Sequence, residues 1–578
     1  MEELTVGQKK ALQDLHDYWD YAKDSEVRRL WRLQYDKNLR IYRGDQWEDH
    51  VLDQLKNIQA TPYTINRIEP LINAYSSLQI QSNKRIGYKS TTDIARHEQL
   101  ADYLSYMFHV VQTQNDFPFY SSLKYTSALI GGLGWSLFGF HDGKSFYDYV
   151  DPREVYFDPD DQSPRLEESS FVCRSYFISL IQTKKLYPKF SDYFDDLIGN
   201  DKKPSTLDVL YHNSDEDVWT RGKSIRIVEV YYKKEAEYFE STMVFSEDEE
   251  QIPTDQIFST FDYDYAASKA SNGAVIKKKG TKIFKGVFCS DVLLEHGAIP
   301  DQVPDQKYFP LLPICLRRDY AGVPYGVIDN LIPLSRALNY IWTKTIHGID
   351  QKILITSNIN ADIEDTEAKW IEKLQQKIAV IASPNPMDAK LYTPEQTLPY
   401  FFNMLQRIDV EFEQSTYLFD ELKGNQTNAV SGVAIQQRAA NSARSQNTLN
   451  MAYDHLLLSE GQLMLDTVKG MGKDFKYTFN YYKDGKSNLT TLDDMISTIN
   501  FEVYTDIVPN FNSSVEEERA KFAELLNSPN PTLAMSSALF LKELGFRKYN
   551  ELAEEFLKLS QGQAQQTAEE QAAIPQNQ

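Results

Sequence analysis

The sequence predicts an α+β fold, mainly helical, divided among several packed regions. Three observations predict it. A chain of 578 residues exceeds what a single hydrophobic core organises, so roughly two to four packed regions are expected. Long stretches repeat apolar residues at three-four spacing, and between them the period falls to two. Hydrophobic residues make up 42% of the chain, and its 36 Tyr and 7 Trp point to large contact surfaces.

Residues 322–472 organise the rest. Val327, Ile328, Leu331, Leu334, Leu338, Ile341, Trp342, Thr345 and Ile349 leave one continuous apolar stripe on a first helix. Phe401, Leu405, Ile408, Phe412, Thr416 and Phe419 repeat the device on a second. Between them, residues 352–394 have strand-like ends at 353–356 and 378–382 around a short charged helix at 364–377. Two helices that leave and re-enter a body, with a small αβ module between, describe a stalk with a tip. Their stripes exceed what one pair of helices buries. Other copies of the chain are therefore expected as neighbours, with Trp342 and Phe412 at the subunit interface.

Upstream, residues 5–43 read as one or two helices with Leu12, Leu15, Trp19, Leu30, Leu33 and Leu39 as candidate buried positions. Gly44 is placed to close them. Further helices are expected at 66–81, 93–114 and 120–130, the last running into Gly131-Gly132-Leu133-Gly134. Residues 135–141 and 145–150, joined by Asp142-Gly143, read as a hairpin. Short helices and strands follow to 315, the clearest strands at 225–233 and 281–287, and the acidic stretch 246–256 reads as a surface loop. Beyond the stalk, a long helix is expected at 430–469. Its first half is rich in small and amide residues, and its second holds Leu456, Leu457, Leu463, Met464 and Val468 as core. Residues 477–482 and 501–508 read as returning strands, Ser514-Val515-Glu516-Glu517 as a capping box, and 561–578 as a flexible tail.

Composition excludes several classes. Sixty-one basic against 83 acidic residues give −22, the wrong sign for gripping nucleic acid by charge, though compatible with letting DNA slide. Cys173, Cys289 and Cys315 have no metal or redox spacing and point to a reducing compartment. The N-terminus lacks a signal pattern, and no apolar run reaches the roughly 18 residues of a spanning helix, so no membrane partner is expected. Gly143-Lys144-Ser145 and Gly485-Lys486-Ser487 imitate the end of a phosphate loop. Phe138 and Asn480 stand where its first glycine belongs, so hairpin turns account for both. Asp158, Asp160 and Asp161 read as a solvated turn, since no glycine or closing glutamate completes a calcium loop. His347 reads as a packing residue. Glu516, Glu517 and Glu518 favour a helix dipole, and no catalytic residue, cofactor or metal site assembles.

The order of parts resembles the portal proteins of tailed double-stranded-DNA bacteriophages, of the short-tailed type. Tyr42-Arg43-Gly44-Asp45-Gln46-Trp47 followed by Asn66-Arg67-Ile68 resembles that family's opening pattern. Gly326, Asp329, Pro333, Arg336 and Asn339 resemble the start of its stem helix, from which Ser335 and Ala337 depart. Ser431-Gly432-Val433-Ala434-Ile435-Gln436-Gln437-Arg438 resembles the segment after its tunnel loop. The resemblance implies a ring of twelve copies at one capsid vertex of the virion, assembled in the host cytoplasm. It also implies a wing (1–322), first stem helix (323–352), clip (353–396), second stem helix (397–423), tunnel loop (424–432), spine helix with return strands (433–512), crown (513–560) and tail (561–578). The implied partners are double-stranded DNA, the large terminase, a tail adaptor and the major capsid protein. A head–tail connector without a packaging role, and a metal-dependent nuclease, are the alternatives.

Three groups of residues take roles under this reading. Asp409, Glu411, Glu413, Asp420 and Glu421 outweigh Arg407 and Lys423 in the second stem, a wall that repels phosphate. Glu364, Asp365, Glu367, Lys369, Glu372 and Lys373, by composition a solvated face, become the docking surface for motor and adaptor. Lys423, Gly424, Asn425, Gln426, Thr427 and Asn428, by composition a plain connector, become the loop that meets DNA.

Overall fold

The computed structural model describes residues 5–81, 84–92, 94–141, 144–200, 218–245, 254–270, 274–350, 352–356, 378–382, 390–392, 398–416, 447–483, 486–492 and 495–507. Its body opens with α1 (Val6–Lys23) and α2 (Glu26–Tyr42). Thr5 and Gln8 form a reciprocal capping box on α1, and Ser25 caps α2. Leu15, Trp19 and Ala22 pack α1 on the large sheet, as their spacing requires. On α2 the buried face is not the leucine one. Leu30 and Leu33 are exposed, while Arg28, Trp31, Tyr35, Asn38 and Ile41 are buried.

The reason lies in the helix that α2 touches. After α3 (Asp49–Asn57), α4 (Ile68–Gln81), β1 (Lys84–Ser90) and α5 (Ala95–Gln114), α6 (Phe117–Gly131) runs through the centre of the body. Its last carbonyls have no partners within the helix. Trp31 donates its indole N–H to the Gly131 carbonyl at 2.8 Å, and the Asn38 amide donates to Ile130 at 2.9 Å. Val327 N–H takes Leu129 at 2.8 Å. Gly132 (φ +82°) turns the chain into β2, and Gly326 lies so close to Leu129 and Ile130 that a Cβ would strike their carbonyls.

The expected hairpin forms from β2 (Leu133–His141) and β3 (Lys144–Val150), in register Trp135↔Val150 to His141↔Lys144. The large sheet is antiparallel. From β4 (Val155–Phe157) and β5 (Phe171–Ser179) the chain passes through α7 (Leu180–Leu186) and α8 (Ser191–Asn200). It then continues into β6 (Thr220–Arg221), β7 (Ser224–Phe245), β8 (Thr254–Thr260), α9 (Tyr263–Lys269), β9 (Val275–Cys289) and β10 (Val292–Ala298). Strand order is β10-β9-β7-β5-β4, with β6 and β8 also on β7. Strand β7 runs well past the expected 225–233, and β8 begins at Thr254, so part of the expected surface loop is strand. Beyond the core, β7 and β9 continue as a ribbon with ion pairs Lys277–Glu237 at 2.5 Å and Lys279–Glu235 at 2.9 Å, both solvent-exposed, and Lys278–Glu240 at 2.7 Å, in which Glu240 is mostly covered. Such pairs contribute roughly 0–1 kcal/mol each; their greater use is to keep an open ribbon from pairing with stray strands.

Strand β11 (Leu311–Cys315) joins β2 and leads into α10 (Ile328–Asp350). The module β12 (Lys352–Thr356), β13 (Ile378–Ala382) and β14 (Lys390–Tyr392) follows, with β12 parallel to β13 and antiparallel to β14. Then come α11 (Leu398–Thr416) and α12 (Asn447–Met471). The chain returns as the hairpin β15 (Tyr477–Lys483) and β16 (Lys486–Leu492), then β17 (Phe501–Ile507) along β1. Lys144-Ser145 and Lys486-Ser487 open strands β3 and β16, so no helix N-terminus follows them to hold phosphate. The charged helix expected at 364–377, the first half of the long helix, and the expected crown and tail lie outside the described residues.

Helix α12 is held in the body by Leu456, Leu457, Leu463, Met464 and Val468, as expected, and by a charge pair that periodicity did not reveal. Lys124 of α6, fully buried, meets Glu460 at 3.2 Å and donates to the Ser136 hydroxyl at 2.6 Å. Tyr147 donates to the same Glu460 oxygen at 2.8 Å. Burial pushes the Lys124 ammonium down to about 8 despite the carboxylate beside it. Glu460→Gln or Lys124→Met should each lower stability by about 3–5 kcal/mol, because either leaves a buried charge unpaired. The double variant Lys124→Met/Glu460→Leu should lose much less than the sum. Denaturation monitored by hydrogen exchange in α12 checks this, and additive losses would show that the two groups act independently.

Candidate functional site

Helices α10 and α11 lie against each other. Ile328, Leu331, Leu338 and Ile341 on one and Leu405, Ile408 and Phe412 on the other belong to the main core. Phe412 is 7% exposed within its own chain, and Trp342 is partly buried against the same core, so the stripes are largely consumed by the helix pair. The side chains left over lie elsewhere on these helices. Tyr340 and Ile349 of α10, and Tyr400, Phe402, Met404 and Val410 of α11, are all about half exposed or more. These are the large apolar side chains of the two helices that the rest of the chain leaves uncovered.

The body end of α10 is fixed by a polar network. The Gln46 side-chain oxygen accepts from Ser335 Oγ and Asn339 Nδ2, both at 2.6 Å. Its nitrogen donates to the Ile41 carbonyl at 3.2 Å and to Asn66 Oδ1 at 3.0 Å. Asn66 Oδ1 also accepts from the Ile68 and Glu69 N–H groups at the start of α4, and Asn66 Nδ2 donates to the Tyr42 carbonyl at 2.8 Å. Asp329 accepts from Gln34 and Asn38 of α2 at 2.5 and 2.9 Å and from Gly326 N–H at 2.7 Å. Residues 42–47, 66–68 and 326–339, quoted from sequence as motifs, therefore meet in space, while 431–438 lies outside the described residues. Ser335, a departure from the family pattern, supplies one of the donors.

Residues 58–67 run as a strap along α10. Tyr63 N–H donates to Thr343 Oγ1 at 3.0 Å and Ile65 N–H to Asn339 Oδ1 at 2.8 Å. The strap ends at Arg67, whose guanidinium pairs with Asp409 of α11 at 2.9 Å. Asp409, expected as a bare acidic group of the stem, is thus answered by a cation from the body. Glu411 is exposed and Glu413 lies in the same helix. Asp420, Glu421, the loop residues Lys423 to Asn428 and the charged residues Glu364 to Lys373 lie outside the described residues.

The remaining expectations resolve simply. His347 is buried on α10. The turn is not solvated as expected: Asp158 and Asp161 are buried because they satisfy backbone and hydroxyl donors, Asp158 accepting from the N–H groups of Asp160 and Ser170, and Asp161 from Ser163 and Ser169, while Asp160 alone is exposed. Among the described residues no group of three or more His, Cys, Asp or Glu is placed to hold a metal ion, and no helix is long and apolar enough to cross a membrane. Sequence reasoning missed the roles of Gln46 and Asn66; their only signal was membership of a motif.

Gln46→Ala or Asn339→Ala strands buried donors and acceptors and should cost about 1–3 kcal/mol each. Arg67→Ala breaks a half-exposed pair and should cost no more than about 1 kcal/mol. Thermal denaturation together with protease sensitivity of residues 58–67 measures both; equal losses would mean that the network is not the fixed point.

Comparison with curated proteins gives no match. The family model described as phage P22-like portal protein matches residues 18–578, which takes in the body, the paired helices and the returning strands. The chain belongs to the phage P22-like portal protein family, and its role is that of the portal at a capsid vertex through which the phage genome is packaged.

Proposed function

We propose that twelve copies form a ring in which α10 and α11 are the stem around a central channel, the β12–β14 module is the clip, and the body up to residue 322 is the wing. The observation that carries this is the stem itself. Two helices bury one stripe against each other and the body, yet leave Tyr340, Ile349, Tyr400, Phe402, Met404 and Val410 facing outward. A neighbouring copy around a closed ring covers such a surface without leaving an open end. The terminase motor and then the tail adaptor dock on the clip through Glu364, Asp365, Glu367, Lys369, Glu372 and Lys373. DNA passes the acidic stem and is held, then released into the tail. Assembly takes place in the host cytoplasm. The chain supplies no engine: it guides DNA that another protein moves.

The interface is tested by charge placed on the outward face. Tyr400→Asp and Phe402→Asp should fold, because both positions are at least half exposed, but should remain monomeric in light scattering while the parent shows rings with a central hole in negative stain. Phe412→Asp should instead unfold the stem, since that side chain is core. Rings of normal size from Tyr400→Asp would remove this face from the interface.

The tunnel-loop reading for residues 424–432 rests on their place between the second stem helix and the spine helix. Glycines there permit a change of direction, and amides touch phosphate without holding it. Lys423 is the one cation in residues 423–432, a weak contact repeated in every subunit. Lys423→Glu, or deletion of Asn425 to Asn428, should leave assembly unchanged and lower the yield or retention of packaged DNA. Full heads with normal retention from the deletion variant would reduce the loop to a connector.

A further inference from the structure

We propose that the outer stripe of α11, formed by Asn403, Arg407, Val410 and Gln414, is the channel wall that double-stranded DNA slides along, with Arg407 as its phosphate contact. The proposal rests on the ring reading above and assigns the faces of one helix within it. Helix α11 turns a single stripe towards its own chain. Phe401, Leu405, Ile408 and Phe412, spaced four, three and four residues apart, belong to the main core or pack against it. Asn403, Arg407, Val410 and Gln414 repeat that spacing two residues further on, and all four are exposed. Two residues are about 200° of helix turn, so the second stripe runs along the side of α11 farthest from the body.

Charge separates this stripe from the rest of the helix. Between Leu398 and Thr416 there is one cation, Arg407, and it stands on the outer stripe. The three carboxylates, Asp409, Glu411 and Glu413, all stand off it by helical register. Asp409 and Glu413 share a flank with Phe402, where Asp409 meets Arg67; Glu411 shares the other flank with Tyr400 and Met404. A helix in a ring has its own chain behind it and a copy on either side. Tyr400 and Met404 on one flank and Phe402 on the other, each about half exposed or more, are the apolar groups that those two copies cover. The side left open is the outer stripe. In a chain of net charge −22, a stripe free of carboxylates that carries the one cation fits a polyanion at the axis better than solvent outside the ring. Guanidinium and amide groups contact a phosphate backbone without reading its sequence, which suits a wall that every stretch of genome must pass. Glu411 lies four residues beyond Arg407, next to it on the helix surface, and weakens the attraction. Such a contact, repeated by every copy between flanks that repel phosphate, guides DNA without holding it.

The test uses full-length protein in DNA-filled particles. Its native cysteines are all buried, so an added thiol reports alone. Asn403→Cys and Gln414→Cys, carrying a maleimide photocrosslinker, should cross-link to double-stranded DNA. Met404→Cys with the same reagent should cross-link to a neighbouring copy of the chain instead. Arg407→Glu should leave rings of normal size in negative stain and lower the yield of packaged DNA several-fold, while Arg407→Lys should keep it near the parent value. Normal rings whose stripe positions cross-link no DNA would overturn the channel face and leave the ring standing. Unchanged packaging by Arg407→Glu would overturn the phosphate contact. A parent protein that forms no ring would overturn both readings.

Discussion

The carbonyl oxygen of one buried amide, Gln46, accepts from two side chains of α10 while its nitrogen holds the end of α2 and the start of α4 through Asn66. That arrangement fixes where the long helix stands relative to the body. An apolar contact of the same size would stabilise comparably, but apolar surfaces tolerate sliding and rotation; directional bonds do not. To shift α10 along its axis, Ser335, Asn339 and Thr343 would have to release Gln46 and the 58–67 strap together. Each orphaned group costs about 1–3 kcal/mol, so the helix has one axial position.

The same logic recurs around α6. Its final carbonyls are taken by Trp31, Asn38 and the backbone of Val327, so the segment entering α10 is tied to the helix that α2 also caps. On its other face, Lys124 reaches Glu460 and fixes α12. The stem pair and the spine helix, far apart in the chain, are therefore referenced to one element. Polar bonds set position here, and apolar packing supplies the bulk of the cohesion. In the proposed ring, the exposed side chains of α10 and α11, Tyr340, Tyr400 and Phe402 among them, would meet the next copy by apolar contact.

How much of this was legible in the sequence follows from what periodicity encodes. It located α10, α11, α12, the hairpin of β2 and β3, and strands β15 and β17, since each has a clean period or a turn signal. It failed on α2, where Leu30 and Leu33 promised a buried face, because Asn38 and Arg28 are buried for their hydrogen bonds and rank as polar. It offered Trp342 and Phe412 as interface residues; within one chain both lie against the core, and a stripe shows that a partner exists without saying whether the partner lies in the same chain. Lys124 and Glu460 carried no signal at all, as a lysine and a glutamate on helices read as solvated. The motif residues Gln46, Asn66, Asp329 and Asn339 were visible as motifs, but only coordinates show that they converge.

The electrostatic reading of the stem changes most. In the sequence Asp409 is one of five acidic groups around two basic ones; in the fold, Arg67 sits 2.9 Å from it. At physiological salt, exposed charges act over about 8 Å, so a carboxylate with a guanidinium in contact adds little to any field across a channel. In the proposed ring, repulsion of DNA then rests on Glu411, Glu413, Asp420 and Glu421, and Asp409 serves instead to fasten α11 to the strap. The strap already binds α10 through Asn339 and Thr343, so one short segment of the body touches both helices, α10 by two partly buried hydrogen bonds and α11 by a single half-exposed ion pair. The second attachment is much the weaker. Leu405, Ile408 and Phe412 also hold α11 in the main core, so the ion pair adds alignment to a contact that apolar packing already makes.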